Sequence, residues 1–190
     1  EMCIRDSSMP PRSIAHLERI AEVSTPRFNG FKDYSKQHRL LGELRQALLK
    51  QQRCLIDYHP AKREKQQYLI DPYTLLFFKN GLYIGGYAHN RKALRLFAVE
   101  RIEKVEVHPE RFEVPEDYHP EMLTGTAFGL IDEGEPRRLE LLFDKEVAHL
   151  IRERIWHPEQ QIEEHPDGSL LLRFSASGDK EILAWLYSFI

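Results

Sequence analysis

One stretch of the sequence, residues 71–107, constrains the fold more than any other. Its apolar runs have the length of β-strands, and an Asn80-Gly81 pair separates the first two of them. An Asn-Gly pair in this position is a strong hairpin signal, because both residues tolerate the positive φ of a type I′ turn. The pattern predicts four strands, at Thr74–Phe78, Leu82–Tyr87, Ala93–Ala98 and Ile102–Val107.

The residues before this stretch predict further strand structure. In Arg53–Tyr58, every second side chain points to one face, as in a half-buried strand. Gln67–Ile70 is the next apolar run, and we expect Pro72 to end it or to place it at an edge, because proline cannot donate to a β-ladder. Counting from Arg53 there are five short strands, with one of them divided further if Pro72 breaks it, and five strands would close a small barrel, which removes exposed edges. Gly85-Gly86 is expected to bend its strand or to let another backbone approach closely.

Two helices are predicted before the sheet. The first spans Ser13–Val23, with Ser13 as its N-cap after two prolines. The second begins at Ser35 and carries an apolar stripe of leucines, namely Leu40, Leu41, Leu44, Leu48 and Leu49. Neither helix resembles a DNA-reading helix-turn-helix. Residues 1–8 show no periodicity and are expected to form a tail.

The C-terminal part predicts an open unit with the order β–α–β–β–α, which is a ferredoxin-like arrangement. It follows His108–Pro136, a connector rich in proline and glycine. Its predicted elements are a strand at Leu139–Phe143, a helix capped by Asp144 with Val147, Leu150, Ile151 and Ile155 inward, strands Trp156–Glu163 and Ser169–Ser175 around Asp167-Gly168, and a helix capped by Asp179. The last helix has no stop signal at Ile190, so we expect the unit to continue beyond it.

Composition argues against several classes of protein. No apolar run approaches the ~20 residues that a membrane helix needs. The two cysteines, Cys3 and Cys54, lie far apart, which favours free thiols in a reducing cytoplasm. The sequence has no His-x-x-x-His or Cys-x-x-Cys pair, no Gly-x-Ser-x-Gly elbow and no phosphate-binding glycine loop. We therefore expect no metal, no cofactor and no catalysis.

Charge is distributed unevenly along the chain. The formal net charge is −3, yet residues 79–104 are basic. The cations there are Lys79, Arg91, Lys92, Arg95, Arg101 and Lys104, against the carboxylates of Glu100 and Glu103. A basic patch within an acidic protein is a candidate anion site. The alternative is that Lys79, Arg91, Lys92 and Lys104 are solvated residues of turns and edges.

The same stretch resembles the WYL domains, which are ligand-sensing domains of bacterial transcription regulators. The matching positions are Pro72, Leu82-Tyr83-Ile84, Tyr87, Arg95-Leu96-Phe97 and Arg101-Ile102. Leu82 stands where the family has Trp, and Ile84 where it has Leu, while Tyr83 is kept; Tyr68 stands at a position that is often basic. The resemblance covers residues 50–107, and a weaker one to the extension that follows such domains covers residues 135–190.

This resemblance implies an Sm-like, or SH3-like, five-stranded barrel within an α+β chain. The implied division is a tail and linker helix at 1–34, a WYL domain at 35–108, a connector at 109–136 and a C-terminal extension at 137–190. Aromatic faces stack on bases and guanidinium groups grip phosphates. The predicted effector contacts are Tyr58, Tyr68, Tyr83, Tyr87, Arg95, Phe97 and Arg101, with Arg91, Arg152 and Arg154 as secondary anion contacts.

The sequence therefore predicts the sensing module of a transcription regulator. Its expected effector is a nucleotide or single-stranded nucleic acid, and DNA would be read by a helix-turn-helix outside this chain, as part of a homodimer. The alternative is an interaction or dimerisation module without an effector. In that case the tyrosines would be barrel core, and Arg101 would pair with a carboxylate such as Glu100 or Glu103. A third, distant reading, a hydrolase, has no motif in its favour.

Overall fold

The computed structural model describes residues 10–24, 30–61, 63–130 and 134–190. The predictions for residues 1–8 and Cys3 lie outside these ranges. The chain divides into two compact units, residues 1–33 and 34–190. In the first, helix α1 spans Pro11–Val23, with Pro10 at its N-cap. The predicted cap at Ser13 is wrong, because the Ser13 N–H already donates to the Pro10 carbonyl inside the first turn. Proline suits the first turn of a helix, since the N–H that it lacks would have no partner within the helix.

The second unit is mixed α+β, as predicted. Its first part contains helix α2 (His38–Leu49) and strands β1 (Gln52–Tyr58), β2 (Gln66–Phe78), β3 (Gly81–Ala88), β4 (Ala93–Ala98) and β5 (Ile102–Arg111). A 3₁₀ turn, Val99–Arg101, joins β4 to β5. Its second part contains β6 (Arg137–Phe143), α3 (Lys145–Arg152), β7 (Gln161–Glu164), β8 (Leu170–Ala176) and α4 (Asp179–Leu186).

The first five strands form one antiparallel sheet with the order β4-β3-β2-β1-β5. Cys54, Ile56 and Tyr58 are buried on one face of β1, which confirms the predicted alternation. Helix α2 packs Leu44 against this face. The predicted leucine stripe is wrong at Leu49, which is 80% exposed because it ends the helix beyond the contact with the sheet.

The sheet curls so that β4 approaches β1, although the two strands are not neighbours in the sheet. The Tyr58 hydroxyl accepts a hydrogen bond from the Ala98 N–H at 3.3 Å. The His59 N–H donates to the Arg101 carbonyl oxygen at 2.9 Å. No ladder joins β4 to β5 among the strands of the described ranges. The predicted closed barrel is therefore not confirmed, and side-chain and loop hydrogen bonds hold the curl.

The prediction that Pro72 ends a strand or lies at an edge is wrong. Strand β2 runs through Pro72 and lies between β1 and β3. The register shifts between Pro72 and Thr74, so the intervening Tyr73 forms a bulge. A bulge interrupts the ladder locally, and bulges are among the positions in a sheet that accept proline.

Gly86 is required by a close approach of two backbones, as the sequence predicted. It pairs with Pro72, and a Cβ at position 86 would overlap the carbonyl oxygen of Asp71. The three atoms nearest to a Cβ on Gly85 would all belong to the side chain of Leu123. The bulge of β2 therefore fits against β3 only because position 86 has no side chain.

The predicted hairpin between β2 and β3 is confirmed, but its turn lies one residue earlier. Phe78 pairs with Gly81, so Lys79 and Asn80 are the two turn residues. Their φ angles are 43° and 61°, as a two-residue hairpin turn with two left-handed positions requires. Gly81 instead begins β3 and is buried.

The C-terminal part has the predicted order β–α–β–β–α, with a sheet of order β6-β8-β7. Asp144 is the N-cap of α3, as predicted, whereas Gly178 takes that position before α4 because its φ of 89° suits glycine. Leu150 and Ile155 are 38% and 83% exposed, so their predicted inward positions are wrong. Ile155 follows the end of the helix and so leaves its buried stripe.

Strand β7 begins later than predicted. Trp156 precedes it and packs its ring 4.9 Å from that of Trp185. The predicted connector also begins later, because β5 continues to Arg111. Its aromatic residues dock as expected: the Tyr118 ring lies 4.9 Å from that of Tyr73, and Phe128 stacks on Phe174.

We expect Gly86→Ala to destabilise the protein by about 2 kcal/mol, because its methyl group meets a backbone carbonyl that only a shift of the bulge can relieve. Gly42→Ala is the matched control. A Cβ there meets nothing within 4 Å in helix α2, so this variant should gain about 0.5 kcal/mol. Urea denaturation of both variants measures the difference, and equal stabilities would contradict the assigned packing.

Candidate effector-binding site

Two neighbouring cavities lie where β4 and the following 3₁₀ turn meet the end of β1. They share Tyr58 and Leu96 and have volumes of about 300 and 360 Å³. We call the larger one the Arg95 cavity; it is lined by Tyr58, Pro60, Arg63, Tyr68, Arg91, Arg95, Leu96 and Phe97. The smaller one is the Arg101 cavity, lined by Tyr58, Phe78, Lys79, Tyr83, Leu96, Ala98, Arg101, Leu130 and Glu181.

These cavities bring together most of the residues predicted to contact an effector. Arg95 and Phe97 are two residues apart on β4 and therefore lie on the same face. Phe97 is buried, while Arg95 is exposed. Arg101 lies at the end of the 3₁₀ turn that the His59–Arg101 hydrogen bond ties to the end of β1. The backbone thus places the two guanidinium groups in adjoining cavities.

Tyr58 and Tyr68 form the floor of the site more than its walls. Each is 8% exposed. Their rings meet Phe97 edge to face, at centroid distances of 5.2 and 5.0 Å. The Tyr68 hydroxyl donates to Gln66 Oε1 at 2.8 Å. Their rings are thus part of the core, as the alternative interpretation expected, and both residues also line the Arg95 cavity. Tyr83 is half-buried on the wall of the Arg101 cavity.

Tyr87 lies apart from both cavities. Its ring meets His89 edge to face at 5.1 Å. His89 Nε2 in turn lies 2.8 Å from Asp71 Oδ2. The structure therefore separates Tyr87 from the other predicted effector contacts.

The expected carboxylate partners of Arg101 bond elsewhere. Glu100 accepts a hydrogen bond from the Tyr34 hydroxyl at 3.4 Å, and Glu103 Oε2 lies 2.7 Å from Lys65 Nζ. Within the described residues, no carboxylate lies within 4.0 Å of the charged nitrogens of Arg63, Arg95 or Arg101. In the part of the chain that the structure describes, these three guanidinium groups therefore have no acidic counter-charge.

The secondary arginines are held by neighbours. Arg91 donates to Gln66 Oε1 at 2.8 Å, and its guanidinium lies 5.7 Å from the Tyr68 ring centroid on the wall of the Arg95 cavity. Arg152 makes two hydrogen bonds to Glu164, at 2.7 and 3.0 Å. Arg154 lies over the Trp156 ring at 5.4 Å. Neither Arg152 nor Arg154 lines the two cavities.

Several cavity residues were not predicted from the sequence. Arg63 lies in the polar loop between β1 and β2, and the basic residues of this loop were the sequence feature that could have indicated an anion contact. Leu130 and Glu181 come from the connector and α4, and no sequence pattern links them to β4. Glu181 Oε2 accepts a hydrogen bond from the Leu130 N–H at 2.9 Å, which joins these two elements at the cavity wall.

Strand β2 also carries a buried carboxylate that the sequence analysis did not single out. Asp71 is 5% exposed, and its carboxylate accepts hydrogen bonds from Arg53 Nε at 2.7 Å and from Arg53 Nη2 at 3.2 Å. The hydrogen bond to Asp71 raises the pKa of Arg53. Burial, and next the Asp71 charge, raise the pKa of the Cys54 thiol to about 12. The pair of Arg53 and Asp71 joins β1 to the bulge of β2.

A larger cavity, of about 630 Å³, lies between α2 and β5. It mixes Lys36, Arg39 and Lys104 with Glu43, Glu100 and Glu103. This balance of charge does not favour an anion. Among the described residues, no group of three His, Cys, Asp or Glu side chains could hold a metal ion. None of the described helices is long and apolar enough to cross a membrane.

We expect Asp71→Asn to destabilise the protein by about 3 kcal/mol, because it breaks a buried ion pair and leaves Arg53 partly uncompensated. Glu106→Gln removes the same charge from an exposed pair with Lys104 and should cost at most about 0.5 kcal/mol. Guanidinium chloride denaturation compares the two variants. An Asp71→Asn cost no larger than that of Glu106→Gln would contradict the assigned role.

The hydrogen bond from Arg152 lowers the pKa of Glu164. A lowered pKa means that this contact stabilises the fold above the ordinary pKa of Glu, and that the contribution disappears as the pH falls through the folded-state pKa. We expect Arg152→Ala to raise the pKa of Glu164 towards its ordinary value in an NMR titration. The pKa of Asp167, lowered mainly by Ser169, should not change. An unchanged pKa of Glu164 would show that the pair does not persist in solution.

Two family models match the chain. The WYL domain matches residues 39–107 and the WCX domain matches residues 135–190. Together they cover more than half of the sequence. The two matches contain β1 to β4 and α4, which supply most of the walls of both cavities.

Comparison with curated proteins found no match. Among solved structures, the chain is similar to Proteasome accessory factor B/C (PafBC) of Arthrobacter aurescens, with 18% sequence identity and a TM-score of 0.41. The similarity covers 78% of this chain and 22% of that one, so the chain spans about a fifth of that protein's length. From the two domain matches, the chain belongs to the proteins that carry a WYL domain followed by a WCX domain.

Proposed function

We propose that this chain is the ligand-sensing module of a bacterial transcription regulator, and that its effector is a nucleotide or a short single-stranded nucleic acid. One observation carries the proposal: Arg63, Arg91 and Arg95 line one cavity, Arg101 lines the next, and the first cavity has no carboxylate among its lining residues. Clustered guanidinium groups without counter-charges favour an anionic ligand.

The chemistry of these side chains suits phosphate groups. A guanidinium group remains charged at any physiological pH and presents forked donors that bind phosphate oxygens in pairs. The Arg101 cavity has a volume of about 300 Å³ and the Arg95 cavity one of about 360 Å³, at the lower end of the range for small-ligand sites. A ligand with more than one group, such as a nucleotide, can use both of them.

The origin of the cavity walls supports a sensing role. The Arg101 cavity is bounded by the WYL residues Tyr83 and Arg101 and by Glu181 of the WCX domain. A ligand there contacts both domains, so it can favour one arrangement of them by binding it more tightly. In this proposal a DNA-binding domain outside the chain responds to that change, in a cytoplasmic homodimer.

A second candidate is a non-enzymatic dimerisation or protein-interaction module without an effector. Two observations favour it. Tyr58 and Tyr68 are buried in the core rather than open for stacking. Leu75 and Phe77 of β2 are 45% and 59% exposed, as residues of a protein contact can be.

Thermal unfolding with nucleotides and short single-stranded DNA distinguishes the two candidates. A ligand at 100 times its Kd should add ~2.7 kcal/mol of stability. We expect this gain to shrink at higher salt, to disappear in Arg101→Ala and to weaken in Arg95→Ala. Arg45→Ala removes an exposed arginine of α2 that lines neither cavity and should keep the full gain.

The interaction module predicts a different outcome. In that case no nucleotide or oligonucleotide stabilises the wild-type chain at either salt concentration. A gain that Arg45→Ala reduces as much as Arg101→Ala would also contradict the proposed site, because it would indicate binding by surface charge in general.

A further inference from the structure

The turn between β3 and β4 carries Arg91 to the wall of the Arg95 cavity. The backbone of this turn is tied to β2, since the His89 N–H donates to the Leu69 carbonyl oxygen at 2.9 Å. The side chain of Arg91 is tied to the same strand by Gln66, whose Oε1 accepts a hydrogen bond from Arg91 Nη2 at 2.8 Å. The backbone and the guanidinium group of this turn thus have separate attachments to β2.

The Gln66 amide oxygen is shared by two donors. Besides Arg91 Nη2, it accepts a hydrogen bond from the Tyr68 hydroxyl at 2.8 Å, so both of its acceptor positions are used. The orientation of the amide follows from the chemistry, because a guanidinium group has donors only. The Arg91 guanidinium lies 5.7 Å from the Tyr68 ring centroid. Gln66 therefore fixes the position of Arg91 beside the aromatic floor of the cavity.

Glutamine holds this guanidinium group without neutralising it. Elsewhere in the chain an arginine is held by a carboxylate, as Arg152 is held by Glu164 at 2.7 Å. A carboxylate beside a guanidinium group offsets its attraction for a second anion. Within the described residues, no carboxylate lies within 4.0 Å of the charged nitrogens of Arg91. The amide of Gln66 is thus a neutral acceptor at a position where an acidic one would cancel a charge of the cavity.

From these contacts we infer that Gln66 is a positioning residue of the anion site, which orients Arg91 for a phosphate group and leaves its positive charge available. The inference rests on the proposed function and deepens it. A side chain that is already held in place loses less freedom when it binds a ligand. Among the described residues that line the Arg95 cavity, Gln66 is absent, so it acts through Arg91.

The test is a double-mutant cycle on the Kd of the 190-residue chain for hexathymidylate, measured by isothermal titration calorimetry. Gln66→Met keeps the length of the side chain but lacks the amide oxygen, and we expect it to weaken binding roughly fivefold. In an Arg91→Ala background the same change should alter the Kd by less than about twofold, because the residue through which it acts is gone.

Gln67→Met is the matched control. The Gln67 side chain is exposed and donates to Asp57 Oδ1 at 2.8 Å, and neither residue lines the two cavities. Because neighbouring side chains of a strand point to opposite faces, this change should leave the Kd as in the wild-type chain.

A second variant tests the role of charge. Gln66→Glu keeps both acceptor positions and adds a negative charge beside Arg91, so we expect binding to weaken roughly tenfold. The plot of log K against log salt concentration should also become shallower by about 0.7, the value for one phosphate contact of a single strand. A role of Gln66 in folding alone would leave this slope unchanged.

NMR of the Arg91 Nε–Hε signal in the free chain gives a readout that does not depend on binding. Gln66→Met should shift this signal and Gln67→Met should not; the absence of a shift in Gln66→Met would contradict the contact and overturn the inference.

The outcomes separate this inference from the proposed function. Binding by the wild-type chain with equal effects of Gln66→Met in both backgrounds, or with an unchanged salt slope in Gln66→Glu, overturns the inference alone. No binding of hexathymidylate by a wild-type chain whose unfolding transition shows that it is folded, while Gln66→Met still shifts the Arg91 signal, overturns the proposed function and the positioning role with it.

Discussion

The site depends on two hydrogen bonds at the end of β1. Through its hydroxyl Tyr58 accepts the Ala98 N–H, and through its backbone His59 donates to the Arg101 carbonyl. Together with the pairing of Tyr58 with Ile102 at the start of β5, these bonds bring the end of β4 and the following turn close to β1. The curl that results creates cavities on both sides of Leu96. The polar end of Tyr58 is therefore structural, and its buried ring supports the floor of the site.

Local patterns predicted the elements whose limits are set by local chemistry. Strand β4 has its predicted bounds because turn residues precede it and a 3₁₀ turn follows it. Pro72 misled the prediction because a bulge in β2 and the absence of a side chain at Gly86 accommodate it, and both depend on a paired strand. Asn80-Gly81 located the hairpin but not its register, since Lys79 also accepts a positive φ.

The residues of the candidate site also divide into those that local sequence patterns indicate and those that only tertiary packing brings together. Arg95 and Arg101 could be singled out because they lie in one basic stretch and match a family pattern. Glu181 could not, because only the tertiary packing of α4 and the connector brings it to the Arg101 cavity. The buried Asp71 was likewise invisible, since its partners Arg53 and His89 belong to other strands and loops. Tyr87 lies on the same strand as Tyr83 but outside both cavities.

The most direct measurement is NMR observation of the arginine Nε–Hε signals during titration with a short single-stranded oligodeoxynucleotide. The account predicts saturable shifts for Arg63, Arg95 and Arg101 with one common Kd, while Arg45 and Arg152 stay unchanged. Shifts spread evenly over all arginines, or different Kd values for Arg95 and Arg101, would contradict the claim that both guanidinium groups bind one anionic ligand.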